Sequence, residues 1–230
     1  MAIIGELIQQ SHLNPEKIVI RDKDRVISSA DFICDISNAA ASLQNKKAKQ
    51  GGNVILHAEN SYAFICSYFA VHYLGARAVI VDSKAEVSFL KFIESKVNPC
   101  CIVTSPEQLL VPVEIENGST NKATSSCIAD ILFTSGTTGE PKGVALSHQQ
   151  LLDSTINIIN KVGNDETDIE LLLMPLSHSF GLGRMRSALF AGTTLVIGYP
   201  LNRMKQVFKA IKNHNITGFG IVPAAWEFII

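Results

Sequence analysis

The sequence predicts an α/β fold in which sheets of mostly parallel strands are flanked by helices. Short apolar runs of strand length alternate with amphipathic helical patterns along most of the 230 residues. This alternation is typical of parallel sheets covered by helices. Hydrophobic residues make up 47% of the chain and charged residues 18%, a composition that supports a globular core rather than disorder.

The first half contains one capped helix and then a βαβ unit. Ser28 and Asp31 form a capping-box pattern, and the helix that follows ends before Gly51. Its apolar face has helical spacing and consists of Phe32, Ile36, Ala39 and Leu43. The βαβ unit and its continuation are predicted as a strand at 54–56, a helix at 62–74, a strand at 78–81, a helix at 87–97 and a strand at 101–103.

The second half follows a polar connection at 105–126, and an internal subdomain boundary is expected near 105–127. A strand at 128–133 leads into a loop at 134–143 and a second strand at 143–146. A helix capped by Ser147 and Gln150 comes next and stops at Gly163. The remaining elements are predicted as strands at 169–174, 195–197 and 216–222, a helix at 202–212 and a helix beginning at Pro223.

The loop at 134–143 has the composition of a phosphate-binding turn. Glycine lacks the Cβ that keeps a backbone away from a polyphosphate, so Gly136 and Gly139 allow successive N–H groups to face an anion. Lys142 adds a compact positive charge. Hydroxyl donors are supplied by Thr134, Ser135, Thr137 and Thr138. The alternative interpretation is a Gly/Thr turn between two strands with a solvated lysine.

The loop does not match the Walker A pattern, in which Gly-Lys is followed by Ser or Thr. Here Pro141 precedes Lys142, and Gly143 follows it. Walker A also joins a strand directly to a helix, whereas a second short strand is predicted after this loop. A P-loop phosphotransferase is therefore disfavoured.

Residues 132–142, which read LFTSGTTGEPK, resemble the signature of the AMP-binding, adenylate-forming superfamily. This superfamily includes acyl-CoA synthetases, luciferases and peptide-synthetase adenylation domains. A match of this length makes an accidental turn the weaker interpretation. The resemblance implies the layered αβαβα fold of the adenylate-forming large domain, with 1–230 as its partial N-terminal portion and the small C-terminal domain absent. It also implies that 134–139 and Lys142 bind nucleotide phosphates.

Three other segments are similar to parts of the same superfamily. Residues 60–82 resemble the helix and strand that precede the loop. Residues 174–182 resemble a motif whose histidine or aromatic side chain faces the carboxylate pocket, which implies substrate-pocket roles for His178 and Phe180. His178 also follows a predicted strand, where α/β proteins bind ligands, although a structural loop histidine is the alternative. Residues 219–230 resemble pocket-lining elements, so Trp226 is expected either to touch the substrate or to be a buried packing residue.

The resemblance implies an ATP-dependent acid–thiol ligase. A fatty, aryl or amino acid would attack the α-phosphate of ATP bound with Mg²⁺, releasing pyrophosphate, and the acyl-adenylate would pass to coenzyme A or to the phosphopantetheine of an acyl carrier protein. Lys142 and His178 would have supporting catalytic roles. The sequence contains no Tyr-Gly-x-Thr-Glu-like segment, ribose-binding aspartate, hinge or main catalytic lysine, which are expected after Ile230. The isolated chain is therefore expected to bind phosphates weakly without turnover; a non-catalytic binding module is the remaining alternative.

Charge and composition exclude other classes of function. Lys plus Arg total 20 against 21 Asp plus Glu, without a basic stripe, which argues against nucleic-acid binding. No apolar stretch reaches the roughly 20 residues that span a bilayer. The five cysteines form no CxxC pair, which favours a reducing cytoplasm. The histidines show no metal-ligand spacing, so no metal site is predicted, and His57, His72, His148 and His214 are expected at ordinary surface or helix positions. The sequence carries no signal for an oligomeric state.

Overall fold

The computed structural model describes residues 3–23, 25–112, 126–134 and 140–226. The helices are α1 (Ile3–Leu13), α2 (Ser29–Asn45), α3 (Tyr62–Tyr73), α4 (Val87–Val97), α5 (His148–Val162), α6 (Ser179–Ala191), α7 (Met204–Asn213) and α8 (Pro223–Trp226). The strands are β1 (Ile18–Asp22), β2 (Arg25–Ser28), β3 (Asn53–His57), β4 (Arg77–Val81), β5 (Cys101–Val103), β6 (Ile128–Thr134), β7 (Lys142–Ser147), β8 (Ile169–Leu171), β9 (Thr194–Ile197) and β10 (Gly218–Phe219). The predicted α/β class is confirmed.

The first of two compact units comprises 1–8, 33–59 and 63–152. Its sheet has the strand order β5-β3-β4-β6-β7, and all neighbours are parallel except the β6–β7 hairpin. The predicted βαβ unit is confirmed as β3–α3–β4. The central residues of β3 and β4 are buried, as expected for parallel strands covered on both faces.

The second unit comprises 9–32, 60–62 and 153–230. Its sheet has the order β10-β8-β9-β1-β2, with an antiparallel β1–β2 hairpin at one edge and parallel neighbours elsewhere. The α1 helix and the β1–β2 hairpin are elements that the sequence patterns did not predict. The core of this sheet gathers Leu171, Met174, Val196 and Val207.

The predicted helix ends are confirmed in atomic detail. The Asp31 N–H donates to Ser28 Oγ at 3.1 Å, and the Gln150 N–H donates to Ser147 Oγ at 3.2 Å. In return, the Ser147 N–H donates to Gln150 Oε1 at 2.8 Å, which completes the second capping box. Gly163 follows α5 with a φ of +77°, the left-handed conformation that glycine adopts without strain.

Two strands are shorter than their apolar runs predicted. The runs at 169–174 and 216–222 contribute only β8 (Ile169–Leu171) and β10 (Gly218–Phe219). Leu173 and Met174 are buried, but they reach the core after the chain has left strand pairing. At 169–174 the apolar run indicates burial that does not coincide with sheet pairing, whereas residues 216–222 are half-buried or exposed.

The helices in the described ranges are all too short or insufficiently apolar to traverse a lipid bilayer. The internal boundary expected near 105–127 stays a prediction, because 113–125 lie outside the described residues.

Candidate functional site

The β6–β7 hairpin brings Thr134 and Lys142 together at its open end. The two residues are antiparallel partners, and Thr134 Oγ1 lies 3.5 Å from the carbonyl oxygen of Lys142, to which it donates. Both residues are exposed. Since β6 runs parallel to β4, Thr134 stands at the carboxyl end of a parallel strand, where α/β proteins bind ligands. The other predicted phosphate-binding residues, Ser135, Gly136, Thr137, Thr138 and Gly139, lie outside the described residues.

Gly143 allows the hairpin to close tightly beside Lys142. A Cβ at Gly143 would lie 3.2 Å from Cζ of Phe133, its antiparallel partner. The Phe133 ring makes an edge contact with Phe92 of α4, with centroids 6.4 Å apart. The glycine therefore leaves room for the Phe133 ring beside the first residues of β7.

A buried polar network, missed by the sequence patterns, holds the other end of this hairpin. Asp130 of β6 accepts hydrogen bonds from the Tyr68 hydroxyl at 2.9 Å and from His72 Nε2 at 2.9 Å. His148, the first residue after β7, packs edge-on against His72 with centroids 5.3 Å apart. His72 and His148 do lie on helices as expected, but both are buried. Among the described residues, neither His148 ring nitrogen has a hydrogen-bond partner.

Protonation of His148 is expected to destabilise the protein in mild acid. Burial and the neighbouring His72 lower the pKa of His148 from its usual 6.5 to about 4. Because the folded pKa is depressed, the stability contribution is complete above the unfolded pKa and is lost as pH falls from 6.5 toward 4. Between pH 7 and pH 5 the free energy of unfolding is expected to fall by about 2 kcal/mol. Urea unfolding at several pH values measures it.

The matched variants are His148→Leu and His12→Gln. His148→Leu removes no hydrogen bond of the ring, so it is expected to flatten the pH dependence with little change at pH 7. His12 is exposed, and His12→Gln is expected to leave the dependence unchanged. An unaltered pH slope in His148→Leu would contradict the assignment.

His178 lies at the N-cap of α6, with φ −121° and ψ 150°. Its side chain is exposed and makes no capping hydrogen bond to the helix. Its backbone N–H donates to the carbonyl oxygen of Pro175 at 3.3 Å. Phe180 is 41% exposed in the first turn of the same helix. The strand before His178 ends earlier than predicted, at Leu171, so a turn rather than a strand end presents the imidazole.

Gly181 explains the close packing of that turn against α6. A Cβ at Gly181 would lie 2.1 Å from the carbonyl oxygen of Pro175 and 3.1 Å from that of Met174. No side chain fits there unless the backbone moves. The start of α6 and the turn before His178 therefore depend on glycine at this position.

Gly181→Ala is expected to lower the free energy of unfolding by about 1–3 kcal/mol, because the added methyl group clashes with a backbone carbonyl that has no rotamer to change. Urea denaturation measures the loss. Gly218→Ala is the matched control, since a Cβ there would meet nothing within 4 Å. Equal losses in the two variants would show that the Pro175 contact is not the cause.

Trp226 is 50% exposed at the end of α8. The preceding residue, Ala225, is buried in the core cluster that contains Met174. Trp226 is thus not buried by the described residues, and its role as a packing residue stays a prediction. Contact between Trp226 and a substrate stays a prediction.

A buried ion pair anchors α6 to the sheet of the second unit and was not predicted. Arg184 Nε donates to Glu170 Oε1 at 2.8 Å, and its Nη2 donates to Asn164 Oδ1 at 3.2 Å. Burial raises the pKa of Glu170, while the guanidinium of Arg184 opposes that shift. Gly220 lies against the arginine, since a Cβ there would be 3.2 Å from its side chain.

The described residues contain no group of three or more His, Cys, Asp and Glu side chains able to hold a metal ion. Magnesium binds proteins through few carboxylates and commonly through substrate phosphates. No Mg²⁺ site is assigned to side chains of the described residues.

The AMP-binding enzyme family matches residues 7–128 and 107–230, which together span nearly the whole chain. The chain belongs to the AMP-binding enzyme family. The 2-succinylbenzoate–CoA ligase of Bacillus cytotoxicus is 26% identical over 230 residues, covering 94% of this chain and 47% of that protein. The chain thus spans about half the length of the curated relatives it matches.

Solved structures of AMP-binding enzymes share this fold. The o-succinylbenzoate CoA synthetase of Bacillus subtilis, in complex with the acyl-adenylate OSB-AMP, superposes with a TM-score of 0.87 at 22% identity, covering 97% of this chain and 63% of that chain. The same enzyme in complex with ATP and magnesium gives a TM-score of 0.87 at 20% identity, covering 96% of this chain and 64% of that chain. The parallel-sheet α/β architecture predicted from the sequence is that of the adenylate-forming N-terminal domain.

Proposed function

We propose that residues 1–230 belong to an AMP-forming acid–thiol ligase and carry its phosphate-binding loop. The observation that carries the proposal is the antiparallel pairing of Thr134 with Lys142, which sets a hydroxyl and an ammonium on either side of a glycine- and hydroxyl-rich loop. The family match over nearly the whole chain supports it. The reaction is attack of a carboxylate on the α-phosphate of ATP, loss of pyrophosphate and transfer of the acyl group to a thiol.

The role proposed for the loop follows from charge movement in this reaction. Negative charge accumulates on the leaving pyrophosphate as the carboxylate attacks. Preorganised donors aimed at developing charge stabilise a transition state more than the ground state. Lys142 supplies a compact cation and Thr134 a hydroxyl, and we propose that 135–139 supply the backbone N–H groups and further hydroxyls.

We propose that His178, Phe180 and Trp226 bind the acid. His178 is exposed, and its imidazole is not used to cap α6, so the ring is free of a purely structural role in that helix. Phe180 and Trp226 are apolar side chains that remain 41% and 50% exposed. Exposed aromatic groups together with a polar group suit an acid with an acyl or aryl body.

The acceptor proposed is coenzyme A, since the curated relatives are named CoA ligases. A carrier-protein phosphopantetheine is the other thiol that this chemistry accepts. When bound to ATP, Mg²⁺ neutralises phosphate charge. The cytoplasm is the proposed location.

Two other functions give different results in the same assay. A P-loop phosphotransferase is disfavoured by the structure, because the loop leads into strand β7 and not into a helix. A non-catalytic binding module would bind nucleotide without forming any product.

Product analysis with a panel of acids tests the proposal. The full-length protein that carries this chain is incubated with ATP, Mg²⁺, coenzyme A and 2-succinylbenzoate, benzoate, a fatty acid or an amino acid. Acid-dependent formation of AMP and pyrophosphate is expected, whereas ADP would indicate a phosphotransferase, and no product with any acid would favour the binding module. The isolated 230 residues are expected to bind ATP weakly and to release no pyrophosphate in the same assay.

A further inference from the structure

One asparagine side chain holds the turn that leads into His178. Asn60 Nδ2 donates to the carbonyl oxygen of Met174 at 3.0 Å, and Asn60 Oδ1 accepts from the N–H of Leu176 at 2.8 Å. The side-chain amide thus pairs with a backbone acceptor and a backbone donor on either side of Pro175, as a neighbouring strand would. Residues 60–62 belong to the second unit, although the chain on both sides of them belongs to the first.

The turn needs these partners because the residues on both sides of the exposed Pro175 are buried without regular strand pairing. Met174 and Leu176 are buried, and they lie between the end of β8 and the start of α6. A buried backbone group without a hydrogen-bond partner destabilises the fold. Asparagine and glutamine are the side chains that offer an amide donor and a carbonyl acceptor together, and aspartate lacks the donor. The Asn60 amide therefore satisfies both the carbonyl oxygen of Met174 and the N–H of Leu176.

The position of His178 depends on the same turn. The His178 N–H donates to the carbonyl oxygen of Pro175, the residue bracketed by the two Asn60 contacts. Gly181 packs against that carbonyl from α6. The imidazole makes no capping hydrogen bond, so helix capping does not set the direction of the ring.

We infer that Asn60 is a positioning residue for the acid site: its amide fixes the 174–176 turn and, through it, the direction in which His178 meets the carboxylate. The inference rests on the proposed function, in which His178 binds the acid. Asn60 acts through the backbone and does not touch the substrate.

Steady-state kinetics of the full-length protein test this inference with the most active acid of the panel. Asn60→Asp removes the donor and sets a carboxylate oxygen against the Met174 carbonyl. It is expected to raise the KM for the acid roughly tenfold, the effect of one lost hydrogen bond. The KM for ATP is expected to change less than about twofold, because the phosphate loop is not altered. Asn160→Asp, on the exposed face of α5, adds the same charge in the same unit and is the matched control.

Asn60→Leu gives a second, uncharged variant that loses both hydrogen bonds. The same split between the two KM values is expected, together with faster hydrogen exchange at the Leu176 amide. If Asn60→Asp does not fold, the Leu variant decides the question alone.

His178→Ala separates the inference from the function on which it rests. If His178→Ala raises the KM for the acid and the Asn60 variants do not, Asn60 is not a positioning residue and the acid site stands. If both substitutions leave that KM unchanged, the proposed acid site fails and the inference fails with it. Loss of folded protein with both KM values unchanged would show a purely structural role for Asn60 and overturn the inference.

Discussion

Replacing Lys142 by alanine in the full-length protein is expected to lower kcat/KM for ATP by about 10²–10³-fold, the usual effect of removing one preorganised donor to developing charge. Lys142 is exposed at the open end of the β6–β7 hairpin, so its removal leaves the described core intact. The loss should appear mainly in kcat, because charge on the leaving pyrophosphate develops in the transition state. Acid-dependent pyrophosphate release measures it.

Two further variants test whether the effect requires a compact cation at position 142 or depends only on the number of positive charges. Lys142→Arg keeps a cation but replaces a compact ammonium by a planar fork, so partial recovery is expected. Lys96→Gln removes another exposed lysine of the same unit, one that pairs with Glu140 at 3.6 Å. Exposed pairs of this kind contribute about 0–1 kcal/mol, so this control should retain near-normal rates. A similar loss in both lysine variants would contradict a specific role for Lys142.

Replacing Arg184 by methionine is expected to lower the free energy of unfolding by about 3–5 kcal/mol, because it leaves the carboxylate of Glu170 buried without its ionic partner. Glu170 is 1% exposed. Burial already raises its pKa, and loss of the guanidinium would raise that pKa further. A folded pKa above the unfolded value gives stability that is present at low pH and lost as pH rises. The loss in free energy of unfolding caused by Arg184→Met should therefore become smaller as pH is lowered. Urea unfolding at several pH values measures this loss.

The double variant Arg184→Met with Glu170→Met tests the cause of that deficit. Replacing both members of a buried pair by apolar side chains of similar volume is often neutral in stability. Most of the loss should then be recovered. A double variant as unstable as Arg184→Met would indicate that packing of the arginine stem, against Gly220 for example, is the larger contribution.

The features that the sequence predicted well depend on neighbouring residues. The Ser28 and Ser147 capping boxes are local patterns of four residues, and both form the expected hydrogen bonds. The β3–α3–β4 unit follows from two apolar runs separated by a helix that ends shortly before Gly75. The loop at 134–142 was recognisable because its glycines, hydroxyls and lysine are contiguous in sequence.

The features that the sequence did not reveal depend on distant contacts. Asn60 binds the backbone of Met174, 114 residues away, and no local pattern marks it as a partner of the His178 turn. In the sequence, Arg184 and Glu170 cannot be distinguished from ordinary surface charges. Their pairing becomes visible only in the structure, where α6 packs against β8. The apolar run at 169–174 predicted a longer strand, because periodicity cannot distinguish residues buried in a sheet from residues buried beside it.

The exchange of labelled pyrophosphate into ATP tests the central claim most directly, since it reports reversible formation of an acyl-adenylate at the phosphate loop. With the full-length protein, we predict exchange that requires a carboxylic acid and Mg²⁺, does not require coenzyme A, and falls by about 10²-fold or more in Lys142→Ala. Exchange that persists at the normal rate in Lys142→Ala would contradict the account.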